Sequence, residues 1–246
     1  MGIFSRQTRV PREPRNGVSS FHAWWRGIDS ADPFVQAAAT LEVITAPTAD
    51  RLYFWALQVT FHDGHREHGG AHVGLQWNPR HAGNTAVNWG GYGVVSDVTS
   101  ILPGTASALA STVDDVNTRD FAWRAGTPYR FVVHRVADGW AADVTDTGTG
   151  KTSRIRTLHC GGDRLTNPVV WSEVFAGCLD PSAVIVWSNL ELVTRMGRTI
   201  RPTSVSLTFP ADGACPNTDT SGGNGVVVQT TNTARRGHDG QIISLR

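Results

Sequence analysis

The sequence predicts an all-β fold, a two-sheet antiparallel sandwich or a barrel, and three observations carry that reading. About a dozen short runs are rich in Val, Thr, Trp, Phe and Tyr, the residues that suit a pleated, half-buried surface. Turn formers break these runs at regular intervals, with 26 Gly and 12 Pro among 246 residues. Only one stretch, ASALASTVDDV (106–116), has a helical look, and it reads equally as loop.

Taken in order, residues 1–19 are polar and Arg/Pro-rich and read as a flexible arm before a single domain over 20–246. Strands follow at FVQAAATLEVI (34–44), RLYFWALQVTF (51–61), GAHVGLQW (70–77) and, more weakly, TAVNW (85–89). Beyond the 106–116 stretch come PYRFVVHRV (128–136), GWAADVTD (139–146), the weaker SRIRTL (153–158), VVWSEVFAG (169–177) and AVIVWSNLELVT (183–194). Residues 196–246 either complete the sandwich or wrap around it. Completion is favoured, because SVSLTF (204–209) and QIISL (241–245) both read as strands, with GVVVQT (225–230) between them.

Composition excludes several classes. Basic and acidic residues nearly cancel at a net charge of +1, which argues against a nucleic-acid binder or an acidic tail. No apolar run approaches the ~20 residues of a membrane helix. Arg6, Arg9, Arg12 and Arg15 are followed by no apolar segment, so a signal peptide is not expected and the location reads as cytoplasmic. Cys160, Cys178 and Cys215 are odd in number and lack C-x-x-C spacing. They read as free buried thiols, with a Cys160–Cys178 bridge the alternative for an exported protein.

Period-two alternation defines the faces of the first hairpin. Tyr53, Trp55, Leu57, Val59 and Phe61 are large and apolar, whereas the even positions drift toward Gln58, Thr60 and His62. In the next strand Val73, Leu75 and Trp77 alternate with His72, Gly74 and Gln76. Placing both apolar sets on one face sets His62 opposite His72, Thr60 opposite Gly74 and Gln58 opposite Gln76. One face then belongs to the core and the other is a polar, ligand-bearing candidate. The loop adds His65 and His68, so His62, His65, His68 and His72 form the candidate metal site, for a divalent ion. No other cofactor is signalled. In the second hairpin an Asp138-Gly139 turn pairs Ala137 with Trp140 and sets His134 opposite Asp143, a structural pair or an oriented base.

The segment QWNPRHAGNTAVNWGGYG (76–93) mixes aromatic rings with planar amides, a combination that suits sugars. Its candidate ligand residues are Asn78, Arg80, Asn88, Trp89 and Tyr92, with Gln58, Thr60, His72 and Gln76 on the polar face and Trp24 and Trp25 able to extend the groove.

The run LYFWALQVTF…GGAHVGLQW, with VIVWSNLEL far downstream, resembles bacterial concanavalin A-like (laminin G/legume-lectin-like) jelly rolls. It is similar in particular to an uncharacterised group with a YF-x-x-x-V … GG-x-x-G-x-Q hairpin and a late W-S-N strand. The resemblance covers residues 21–195 and implies a jelly-roll sandwich whose concave face often binds glycans. The E-x-D-x-(x)-E strand of the glycoside-hydrolase branch is absent. Glu173 and Glu191 are single strand acids, whereas retaining chemistry needs two carboxyls about 5–5.5 Å apart. The leading expectation is therefore a non-catalytic module whose partner is a glycan or small ligand. One alternative is a carbohydrate-active hydrolase or lyase using His72 or His134 with Tyr92, Glu173 or Asp143. Another is a structural module that binds a protein partner or forms a homo-oligomer.

Overall fold

The computed structural model describes residues 19–95, 98–209 and 218–246; residues 1–18 of the arm expected over 1–19, and Cys215, lie outside the described residues, while Ser19 already opens a strand. The strands are β1 (Ser19–Arg26), β2 (Phe34–Thr45), β3 (Tyr53–His62), β4 (Glu67–Trp77), β5 (Thr85–Val95), β6 (Val98–Ile101), β7 (Thr118–Asp120), β8 (Pro128–Val136) and β9 (Gly139–Asp146). They continue with β10 (Thr152–Leu158), β11 (Arg164–Val174), β12 (Val184–Thr194), β13 (Thr199–Ile200), β14 (Ser204–Thr208), β15 (Asp219–Gly223), β16 (Val226–Thr230) and β17 (Ile242–Ser244). Among the described residues the sole helical turn is a 3-10 turn at Ala82–Asn84, and the 106–116 stretch is loop.

The strands form two antiparallel sheets, the all-β sandwich that the sequence predicts. One runs β17-β14-β1-β11-β3-β4-β5-β6, with β7 added to β5. The other runs β10-β9-β8-β2-β12-β16-β15, with β13 added to β12. Residues from 204 onward thus supply two strands to each sheet. No helix among the described residues is long and apolar enough to cross a membrane.

Parity decides what lies between the sheets. Tyr53, Trp55, Leu57, Val59 and Phe61 of β3 are all buried, as are Phe21, Ala23 and Trp25 of β1 and Val87 and Trp89 of β5. Facing them from the second sheet are Leu41, Phe131, Val133, Trp140 and Trp187. Each large side chain taken out of water in this way contributes about 1.5–3 kcal/mol.

The register of the first hairpin differs from the expected one. Gln58 pairs with His72, Ala56 with Gly74 and Phe54 with Gln76, while His62 pairs with Glu67 across a bulge. The cause is Asp63, whose Oδ1 accepts the backbone N–H groups of His65 and Arg66 at 2.8 and 2.9 Å and closes the loop early. The displacement is an even number of residues, so the two faces keep their identity. Gly74 sits where a Cβ would fall 1.7 Å from the Trp55 carbonyl oxygen. Gly74→Ala is therefore expected to cost at least about 2–3 kcal/mol by overpacking, read as a lowered urea midpoint.

The second hairpin is also shifted. Val136 pairs with Gly139 and His134 with Ala141, so Ala137 and Asp138 form the turn. Gly139 opens the strand at φ +147°, and a Cβ there would lie 2.0 Å from the Leu158 carbonyl oxygen. The glycine answers that close approach, where the sequence reading gave it to the turn. Cys178 is disulfide-bonded and Cys160 carries a free thiol. This corrects the expectation that all cysteines are free, and it excludes a Cys160–Cys178 bridge.

Candidate functional site

The nine-stranded sheet turns its even-numbered β3 positions away from the core, and its registers bring distant residues together on that face. Ser20 of β1 lies opposite Glu173 of β11, which lies opposite Phe54 of β3. In the next row Thr208 of β14 opposes His22, then Trp171, then Ala56. A third row carries Trp24, Val169, Gln58 and His72.

Trp171 is the hub of this face. Its ring packs edge-on against Phe54 at 5.0 Å and His72 at 5.7 Å, and lies 6.3 Å from His22. Its Nε1–H donates to Gln58 Oε1 at 3.0 Å, which fixes the carboxamide. Together with Phe54, Ala56, Val169 and Trp24 it forms a small apolar cluster separate from the main core.

On one side of that cluster a short polar chain runs across β1. Ser20 Oγ lies 3.3 Å from His22 Nε2, and His22 Nδ1 lies 3.1 Å from Thr208 Oγ1. Trp24 Nε1–H donates to the same Thr208 oxygen at 3.2 Å. Burial lowers the pKa of His22, since a low-dielectric surround disfavours the imidazolium. The Glu173 carboxyl is raised by the same cause, because burial penalises its charged form and no cation nearby offsets that. Among the described residues it has no hydrogen-bond or ion-pair partner.

His72 is pushed down to about 4 by burial against the aromatic cluster. The folded protein refuses a proton that the unfolded chain accepts near 6.5, so stability falls as pH drops from 6.5 toward 4. The loss expected from this group is at most about 3 kcal/mol. Urea unfolding at several pH values checks it, and His72→Gln is expected to flatten that part of the profile.

The other predicted site residues are placed as follows. Thr60 is buried on the same face, and Tyr92 is half-buried at the β5 end. Trp89 is fully buried in the core, and Trp25 likewise; only Trp24 faces the groove. Gln76, Asn78 and Asn88 are buried in structural bonds: Asn78 Nδ2 to Gln76 Oε1 at 2.8 Å, Asn88 Nδ2 to Thr118 Oγ1 at 2.9 Å. Arg80 is exposed beyond this turn, its backbone N–H held by Asn78 Oδ1. Segment 76–93 is thus the end of β4, a bonded turn and most of β5, with Trp89 inside the core and Trp77 and Tyr92 partly buried.

The histidine-loop metal site does not assemble. His72 sits in the aromatic cluster, His62 accepts the Gly64 N–H, His65 is exposed, and His68 bonds Asp63 at 2.7 Å. Among the described residues no three His, Cys, Asp or Glu side chains are grouped to hold a metal ion. His134 and Asp143 lie on the eight-stranded sheet, bridged by Arg154, which bonds both. They are a structural pair away from Glu173. Sequence reading missed Ser20 and His22 because it named no strand over 19–26, although Phe21, Ala23 and Trp25 alternate there with Ser20, His22 and Trp24; it placed Thr208 on a strand, SVSLTF, but gave it no role.

No protein-family model matches the chain, and no curated protein is similar to it in sequence. Among solved structures it is similar to Scytalido-glutamic peptidase with a peptide-based transition-state analogue, at 12% identity over 86% of this chain and 97% of that one, with a TM-score of 0.46. It is also similar to SCP-B, a member of the Eqolisin family of peptidases, in complex with the tripeptide Ala-Ile-His, at 11% identity over 86% and 96%, TM-score 0.47. The expectation of a non-catalytic glycan- or small-ligand-binding module does not stand. Trp89, the ring meant to stack on a sugar, is inside the core, and the amides meant to hold the hydroxyls are tied up in structural bonds.

Proposed function

We propose that this protein is a hydrolase of acyl bonds, ester or amide, working on the outer face of the nine-stranded sheet. The observation that carries the reading is the contact of Ser20 Oγ with His22 Nε2, while Thr208 holds the other ring nitrogen. A nucleophile, a base and an orienting group in hydrogen-bond reach are the parts that nucleophilic catalysis requires. With Nδ1–H donating to Thr208, Nε2 keeps its lone pair toward Ser20. His22 then takes the Ser20 proton as Oγ bonds to the substrate carbonyl carbon. The same proton passes to the leaving group as the acyl bond breaks, and water, deprotonated by His22, releases the acyl group. Glu173 stands directly across from Ser20, and its burial favours the protonated form that can donate to the developing oxyanion.

The disulfide at Cys178 goes with an oxidising compartment better than with the cytoplasm expected from the N-terminal segment.

Initial rates on p-nitrophenyl acetate and on an unstructured polypeptide test the reading. It requires turnover of at least one by the full chain and its loss in Ser20→Ala. Equal rates in both proteins, or none in either, would remove it. The expected pH profile falls on the acid side as His22 protonates, at a pH below the ordinary histidine value because burial disfavours the imidazolium. Glu173→Gln, which keeps a donor at the same place, is expected to retain most of the rate, whereas Glu173→Ala loses it.

A further inference from the structure

The His22 ring has two indoles for neighbours. Trp24, two residues further along β1, stacks on it at 5.8 Å with the planes 27° apart. Trp171 of β11, directly opposite in register, lies at 6.3 Å with the planes 53° apart. Each indole is pinned through its N–H, Trp24 by Thr208 and Trp171 by Gln58. Thr208 also bonds the imidazole, so its hold on His22 is direct. Gln58 stands two strands from β1, and its influence on His22 passes through a second side chain.

That second side chain is well placed to carry it. Phe54 and His72 pack edge-on against the Trp171 ring from β3 and β4, so the indole forms a wall between them and His22. Trp171 is only 6% exposed, and a buried N–H that loses its acceptor is costly, so without Gln58 the ring turns toward water and the wall loosens. We propose that Gln58 is a positioning residue for the base of the proposed hydrolysis. Its amide oxygen holds the Trp171 indole, and the indole holds the His22 imidazole dry and oriented with Nε2 toward Ser20. The inference rests on the reading of His22 as that base. The titratable groups facing His22 from the packed strands are Glu173 of β11, diagonal to it, and His72 of β4, behind the indole; β14 offers only the hydroxyls of Ser206 and Thr208. Burial favours the neutral form of both Glu173 and His72, so access of water to the ring is the lever that remains.

NMR titration of the histidines in the full chain, with His22 assigned by its loss in His22→Ala, tests this without requiring turnover. Gln58→Met keeps the length of the side chain and removes the acceptor. It is expected to raise the His22 midpoint by about 0.5 pH unit or more toward the ordinary value, as water reaches the ring. Trp171→Phe keeps an aromatic wall that needs no acceptor, so adding Gln58→Met to it is expected to move the midpoint by less than about 0.2 pH unit. The acid limb of kcat/KM is expected to follow the midpoint. An unmoved midpoint in Gln58→Met, or the same rise in the Trp171→Phe background, would overturn the inference. Turnover by the parent decides the hydrolase reading and the midpoints decide the role of Gln58, so either can fail alone.

Discussion

His22→Ala is expected to lower kcat/KM for ester hydrolysis by about 10²- to 10⁴-fold, the usual contribution of a positioned general base. The imidazole bridges Ser20 and Thr208, so its removal leaves the Ser20 hydroxyl without a proton acceptor. Its ring is half-buried on the outer face and touches no core side chain of the sandwich interior, so the variant is expected to fold. Circular dichroism matching the parent, together with the rate loss, separates a chemical role from a structural one. Thr208→Val is expected to give a smaller loss that appears mainly in kcat, because it frees the ring to rotate without removing the base.

The largest expected effect on stability is that of Trp55→Ala, at about 3–5 kcal/mol. Trp55 is 1% exposed, lies edge-on to Trp123 at 5.8 Å and packs beside Tyr53 at 6.3 Å. Truncation removes a large apolar surface and leaves a cavity that two sheets, each held by its own ladder, cannot collapse to fill. A change of this size is a large part of the 5–15 kcal/mol that holds an ordinary domain together. Urea unfolding followed by the remaining tryptophans measures it. A loss below about 1 kcal/mol would mean that β3 does not face the interior as described.

The faces of the molecule were legible in its sequence, while its registers were not. Bulky residues at 53, 55, 57, 59 and 61 have one stable way to lie, and β3 adopts it. Register is invisible to that argument, because an even shift preserves every face. It was decided instead by the Asp63 carboxylate capping its own loop and by Gly139 meeting the Leu158 carbonyl. Trp89 misled because it stands among the amides of segment 76–93, although it lies within β5, paired with Val73, and its parity turns the ring into the core. Half of the candidate site was present locally, since Ser20 and His22 are two apart and so share one face of a strand. The other half comes from Glu173 and Thr208, more than 150 residues away, and only the order β14-β1-β11 brings them alongside.

The most direct test of the central claim is covalent labelling of the intact protein with a fluorophosphonate, which reacts only with a serine activated by a neighbouring base. The account predicts one adduct by mass spectrometry, mapped to Ser20 and lost in both Ser20→Ala and His22→Ala. No adduct, or an adduct that persists when Ser20 is replaced, would contradict it.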